Sequence, residues 1–428
     1  MIIAAIAFAI LLLIGLPIAF GVGIISMGLM FEAGGSDFLM LVPQRMFAGL
    51  NVFTIMAIPF FFLAAELMTA SKVIEDIMEF ADAAVGRLRG GLAQVNVLAS
   101  AFFAGISGSA IADVASLGAL EIRAMETQGY DKKFAAALTV ASSLVGPIIP
   151  PSIIIMLYAS IAQVSVAGMF LAAIIPGATL TIMLMGMVAY FARRHSFPRR
   201  EVQVTPREFF GIGIRASAAL AMPAIILGGI LSGVFTATEA AAVAVAYVLV
   251  LGIVFKRTLK LSMLPGCLLR AGVMTSVVFM VLATASIFSW FIGLERVPEQ
   301  IASFLTTLTE DPTVLLLIIA GALIAVGMFM DVGAAIIIMA PILAPAAVGA
   351  GIHPIHFGIV MSLTLVTGLS TPPVGPCLFA AASVSRLKIE QISIAMLPFY
   401  ALLLVFLAVV ILFPELSLSL PRLFGYIS

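Results

Sequence analysis

The chain has 428 residues, of which 63% are hydrophobic and 10% charged, with 21 acidic and 21 basic side chains. Soluble domains carry about 25% charged residues, so no water-facing shell can be built from this composition and the bilayer must be the solvent for much of the chain. The balanced charge gives no reason to expect a polyanionic partner, and nucleic acid is excluded.

Main-chain polar groups find no partners in lipid, so spanning elements are helices or closed barrels. Apolar runs near the ~20 residues of a spanning helix predict an all-α polytopic membrane protein. The first run begins at residue 2 with no basic region ahead of it and no small-residue cleavage site. It is expected to be a retained helix rather than a signal peptide. Apolar segments follow at 48–70, 92–127, 134–163, 167–192, 211–233, 236–255, 265–293, 313–350, 357–385 and 392–413, the first ending near residue 31.

Two segments are interrupted near their middles. Segment 92–127 is cut at Gly105-Ile106-Ser107-Gly108-Ser109, and segment 313–350 at Gly327 and Gly333, with Asp331 between them. Their halves are short for a full crossing, which predicts two re-entrant helical hairpins and nine full crossings. With a cytoplasmic N-terminus, every Lys and Arg except Arg45, Arg296 and Arg422 then falls on the cytoplasmic side, as the positive-inside rule requires.

Comparing the chain with itself at an offset of 222 residues pairs Pro43 with Pro265, Gly105 with Gly327, Gly129 with Gly351, Gly146 with Gly368, Pro150-Pro151 with Pro372-Pro373, and Pro176 with Pro398. The pairing predicts two repeats, at 1–195 and 236–428, joined by a segment at 196–235 that carries one extra crossing. An odd crossing turns the second copy over. Inverted repeats of this kind characterise secondary transporters, with the site near the midplane where the copies meet.

Within the repeats, Gly146-Pro147-Ile148-Ile149-Pro150-Pro151 interrupts segment 134–163, and Gly368-Leu369-Ser370-Thr371-Pro372-Pro373 interrupts 357–385. Proline removes a donor and clashes with the preceding turn, and freed carbonyls at membrane depth are tolerated only where they line a cavity or meet a ligand. Hydroxyl and carbonyl oxygens suit a small hard cation, and half-helix N-termini suit a carboxylate. Two cation sites are therefore expected. One is formed by Ser107, Ser109, Gly146 and Pro150, the other by the Gly327–Gly333 tip with Gly368, Ser370 and Thr371. The serines have an alternative use, bonding their own helix carbonyls.

Acids inside a membrane are functional candidates, and Asp113 and Asp331 are expected to serve cation binding and coupling or the structure of the tips, with plain helix capping as the alternative. Glu239, after Thr236 and Thr238, reads as a helix cap, and Glu66 as the end of a helix. His353 and His356 read as a solvated loop, and Cys267 and Cys377 as small buried hydrophobes. The chain has no H-E-x-x-H, no phosphate-binding glycine loop with lysine and no Ser-His-Asp set. An enzyme and an ATP-driven pump are excluded, leaving an ion gradient as the energy source.

The runs G-I-S-G-S-A-I-A-D from Gly105, G-P-I-I-P-P-S from Gly146, F-T-A-T-E-A from Phe235 and G-L-S-T-P-P-V-G from Gly368 resemble the large membrane subunit of tripartite ATP-independent periplasmic (TRAP) transporters over essentially the whole chain. That resemblance implies an elevator-type fold with a scaffold and a mobile domain, location in the bacterial inner membrane, sodium as coupling ion and a small carboxylate as solute. It also implies two partners: a small four-helix membrane subunit, here expected as a separate polypeptide, and a periplasmic solute-binding protein. It gives cation-ligand roles to Ser107, Ser109, Gly146 and Pro150, and puts Asp331 near the substrate. Two other readings remain open at this stage: a stand-alone sodium–dicarboxylate symporter of related fold, and a channel or receptor whose paired breaks line a pore.

Overall fold

The computed structural model describes residues 6–8, 10–11, 14–195, 197 and 205–427, and of Ile106, Ser107 and Thr306 the main chain only. The start of the 2–31 segment, and Arg199 and Arg200 of the charge argument, lie outside them. Among the described residues every regular element is helical.

The first long helix is α1 (Ile18–Leu39), later than the 2–31 segment. Gly15, at a left-handed φ of 82°, separates it from the helical residues before, and Pro17 stands at its N-cap. There follow α2 (Val42–Leu50), a 3-10 turn at Phe53–Met56, α3 (Ala57–Ala70) and α4 (Val73–Val85). Helix α4 was not foreseen, being short and carrying four acids among its 13 residues. Val73, Ile77 and Ala81 are buried along one face while Glu75 and Asp76 open its first turn, the pattern of a helix lying at an interface.

Both expected hairpins are present. The first joins α5 (Gly91–Ser107) to α6 (Ala110–Thr127), and the second α14 (Pro312–Gly327) to α15 (Val332–Gly349). Both double-proline segments are also broken as expected. Helix α7 (Lys132–Ser143) stops before the first and α8 (Ile153–Ile161) resumes after it; α16 (Pro354–Gly368) and α17 (Pro376–Ser385) flank the second. The remaining long helices are α9 (Val166–Arg194), α10 (Pro206–Leu231), α11 (Ala237–Val250, extended by a π turn to Phe255) and α12 (Leu264–Leu294). The short α13 (Val297–Leu308) precedes the second hairpin. The pair α18 (Ile389–Ala395) and α19 (Leu397–Leu412) bends by 56°, and α20 (Glu415–Leu423) closes the chain.

Seven described helices are long and apolar enough to cross a membrane, or eight if the bent pair is one span. The nine expected crossings differ from this for two reasons. The seven include α15, which is a hairpin arm, and they omit both broken helices, whose halves have 12, 9, 15 and 10 residues. Treating α15 as an arm, and each broken or bent pair as one crossing, returns nine.

The repeat is visible in the elements themselves. Helices α6 and α15 both have 18 residues and begin 222 positions apart, and the starts of α7 and α16 are separated by the same 222 positions. Each hairpin packs on the first half of its own copy's broken helix. Its second arm also reaches across, α6 onto α17 and α15 onto α8. Around this interlocked core, α12 packs on α1, α2 and α3, and α11 on α3. Polar caps fix several starts. Glu239 forms a capping box with Thr236 at α11, as read from sequence. Asp311 caps α14, and the N–H groups of Thr313 and Val314 hold its carboxyl below the usual range. Glu66 on α3 accepts from Nε of Arg270 on α12 at 2.6 Å. Cys267 and Cys377 are both buried and free. His356 departs from expectation: it is buried in the first turn of α16, with Nδ1 2.7 Å from Oγ of Ser417 on α20.

An inverted repeat puts the mouths of the two hairpins on opposite membrane faces. Cysteines replacing the exposed Arg89 and Glu310 are expected to react with an impermeant maleimide from opposite sides of intact cells, and labelling from one side alone would contradict the inversion.

Candidate functional site

Two helix ends and one break meet in each copy. In the first, α5 gives way at Gly108, whose φ of 59° is left-handed. Ser109 then caps α6, accepting from the N–H of Ala112 at 3.3 Å. Across from this tip, Ser152 caps α8 and donates its hydroxyl proton to the carbonyl of Pro147 at 2.5 Å, closing the loop that holds the prolines. Tip and break touch through main chain. A Cβ on Gly146 would lie 3.8 Å from the carbonyl carbon of Ser109, one on Gly105 3.5 Å from the carbonyl oxygen of Pro150, and one on Gly108 3.7 Å from that of Pro151. Ser109, Gly146 and Pro150 are thus brought together as read from sequence. For Ser107 the main chain ends α5 at the same tip, and its side chain lies outside the described residues.

The second copy repeats the arrangement with different donors. A Cβ on Gly368 would lie 2.6 Å from Cα of Gly327, and one on Gly327 2.7 Å from the carbonyl oxygen of Leu365, so only glycine admits this contact. The tip carbonyl of Met328 accepts from the N–H of Gly375 at 3.1 Å. Ser370 and Thr371 both donate to the carbonyl of Thr367 at 2.9 Å, the alternative use foreseen for such hydroxyls. A hydroxyl donates one proton and keeps two lone pairs, so these bonds leave oxygen available to a cation. Tyr400 of α19 donates to the carbonyl of Ser370 at 2.6 Å. Both Pro-Pro bonds are cis. The first pair is buried and the second is exposed.

The copies share one cavity of about 420 Å3. The first turns of α6, α8 and α15 open onto it through Ser109, Ile153 and Asp331, with Pro147 and Leu369 of the two breaks beside them. Phe62 of α3 and Met274 of α12 form the opposite wall. Asp331 caps α15 through Oδ2, which accepts from the N–H of Gly333 at 2.9 Å, and remains exposed to the cavity. Among the described residues no Lys, Arg or His lines it. An anion here would be met by helix N-termini.

Asp113 does not line this cavity. It is buried on the other side of α6, beside Ser100, and neither carboxylate oxygen completes a hydrogen bond. The same polar seam contains a residue the sequence reading missed, Glu121, two turns further along α6. Asn96 of α5 donates to Glu121 at 2.5 Å and to Thr139 of α7 at 2.9 Å, and accepts from Ser142 at 2.7 Å. The seam ties the first hairpin to its broken helix. Ser152 was also missed, although a serine directly after two prolines and before an apolar run is an N-cap signal. No local pattern marks Tyr400.

Residues 5–416 match the family model described as "Tripartite ATP-independent periplasmic transporter, DctM component". The chain is 40% identical over 422 residues to the uncharacterized protein YgiK of Salmonella typhimurium, covering 98% of this chain and 96% of that protein. It is 36% identical over 417 residues to the sialic acid TRAP transporter large permease protein SiaM of Vibrio cholerae, covering 97% of both. It is 39% identical over 381 residues to the C4-dicarboxylate TRAP transporter large permease protein DctM of Pseudomonas aeruginosa, covering 89% of both. Among solved structures, the YdaH transporter of Alcanivorax borkumensis superposes with a TM-score of 0.65 over 90% of this chain and 89% of that one, at 15% identity. That likeness is one of fold.

Gly368→Ala forces a methyl group into the main chain of Gly327. Overpacking of this kind costs about 1–3 kcal/mol, and the melting temperature of the purified protein is expected to fall together with uptake. An unchanged melting temperature would show that the two backbones separate freely.

Proposed function

This chain belongs to the DctM family, the large permease component of tripartite ATP-independent periplasmic transporters, and from that premise we propose that it imports a small carboxylate driven by a sodium gradient. The observation that carries the reading is the charge of the shared cavity. It offers three helix N-termini and hard oxygens, one acid and no basic side chain among the described residues. A carboxylate entering such a space is stabilised by a co-bound cation, and this makes uptake of one depend on the other. Relatives named for sialic acid, C4-dicarboxylate and 2,3-diketo-L-gulonate support an organic acid as the solute.

The donor sets suit sodium. Ser109 with the main chain at Ser107, Gly146 and Pro150 would hold one ion. The tip at Gly327 with Gly368, Ser370 and Thr371 would hold the other. The protein supplies only oxygen ligands, and the glycines let main chain approach where side chains would block it. The ions supply positive charge beside the carboxylate. Asp331, facing the cavity, meets the solute's hydrogen-bond donors, while Asp113, buried in the seam beside it, does not touch the solute.

In this reading the interlocked hairpins and broken helices move as one carrier domain against the scaffold of α1–α3 and α10–α12. The solute is delivered by a periplasmic binding protein, and a small membrane subunit completes the assembly in the bacterial inner membrane, with the N-terminus of this chain in the cytoplasm. The repeat boundaries at 1–195 and 236–428 belong to the same proposal.

Two measurements test it in proteoliposomes containing the small subunit and supplied with the binding protein. Ser109→Ala is expected to raise the sodium concentration for half-maximal uptake by roughly tenfold, the loss of about 1.4 kcal/mol of ion binding, without changing protein abundance. A sodium titration superposing on wild type would remove the first site. Asp331→Asn is expected to lower uptake while leaving sodium binding in place. Wild-type rates in that variant would leave Asp331 only its capping role.

A further inference from the structure

A second cavity, of about 470 Å3, lies outside the transport site where α4 meets α10 and α11. Its lining joins three charged side chains, Asp76, Arg215 and Lys256, to apolar ones that include Ile214, Val250 and Phe255. The apolar members are 57%, 49% and 75% exposed. In a chain whose solvent is lipid, that exposure faces acyl chains rather than water.

The charges form two pairs across the same helices. Asp76 and Glu79, one turn apart on α4, share a face. Lys256 bonds the carboxylate of Asp76, and its ammonium lies 3.4 Å from the carbonyl of Lys72. Arg215 places Nη2 at 2.6 and 2.7 Å from the two carboxylate oxygens of Glu79. That single nitrogen serves the whole pair, and the guanidinium fork has five N–H donors, so Nε and Nη1 remain for another acceptor. Because α4 is an amphipathic helix at the interface, these pairs sit at headgroup depth. They also sit on the basic side of the membrane by the charge distribution of the loops.

We propose that this cavity binds an ethanolamine-headed phospholipid. The phosphate rests on Arg215 and Lys256, the ammonium turns to Asp76 and Glu79, and an acyl chain runs along Ile214, Val250 and Phe255. Two cations and one acid line the cavity, and Glu79, bonded to Arg215 beside it, brings the charges to balance, which fits a zwitterion better than a headgroup with net negative charge. An ammonium with N–H donors can hydrogen-bond the carboxylates, which a trimethylammonium cannot. A transmembrane helix of another subunit would cover the apolar wall but would leave the free guanidinium donors without an anion.

The test uses the full chain purified with its small subunit, stripped of lipid and offered equal amounts of ethanolamine-, choline- and glycerol-headed phospholipids with identical chains. Native mass spectrometry is expected to show the ethanolamine lipid retained best. Its retention should drop at least roughly threefold, the size of one exposed ion contact, in Arg215→Gln. If Arg215→Gln does not fold, Ala218→Leu, which narrows the cavity and keeps both ion pairs, is expected to show the same loss. A fluorophore on Cys introduced at Phe255 is expected to be quenched by brominated lipid in vesicles. Equal retention of all three lipids by the wild type would overturn the proposal. So would a fluorophore shielded from brominated lipid because the small subunit covers it.

Discussion

Every structural decision in this molecule answers one constraint: an unpaired main-chain N–H or C=O inside a bilayer costs several kcal/mol. Four helices stop and four start within the membrane-spanning body at the hairpin tips and double-proline breaks, and most of the starts are capped by a side chain. Ser109, Ser152 and Asp331 cap three of the four helices that begin there, and α17 begins at Gly375 without a side-chain cap. Pro147, Ser370 and Met328 have their carbonyls held by Ser152, Tyr400 and the N–H of Gly375. The re-entrant hairpins follow from the same constraint, because a tip that stops short of the far surface must dock on something polar. The opposed break is the polar surface available.

Docking main chain on main chain requires the absence of side chains, and this explains where glycine is spent. Gly327 and Gly368 meet with no room for a methyl group on either, and Gly105 and Gly146 bring their strands of backbone against Pro150 and Ser109. Glycine in a helix is otherwise unfavourable by roughly 0.5–1 kcal/mol relative to alanine. At Gly327 and Gly368 the loss is offset by a contact that no larger residue could make.

Much of this was legible because proline and glycine leave marks that survive in a low-complexity apolar chain. The two hairpins, both breaks and their register 222 residues apart could be read directly, as could the capping role of Glu239 after Thr236. Features that depend on direction could not. Asp113 lies only four residues beyond Ser109 in the same helix, yet faces the polar seam at Asn96 and Glu121 rather than the cavity, and the break in hydropathy says nothing about rotation. His356 reads as a loop residue until α20 returns to cover it. The amphipathic α4 and α13 escape a search for long apolar runs because each is short and interrupted by polar residues.

The N-caps of α6 and α15 occupy the same position in the two repeats, yet one is Ser109 and the other Asp331. Each helix start carries one acid, but α6 keeps its own one turn in, at Asp113, buried away from the cavity, where α15 has Ala335, while α15 carries its acid as the cap itself, exposed to the cavity. Related by topology, the two tips therefore present a hydroxyl from one side and a carboxylate from the other. A molecule between them meets unlike walls, and the twofold relation of the halves stops at the chemistry of the lining.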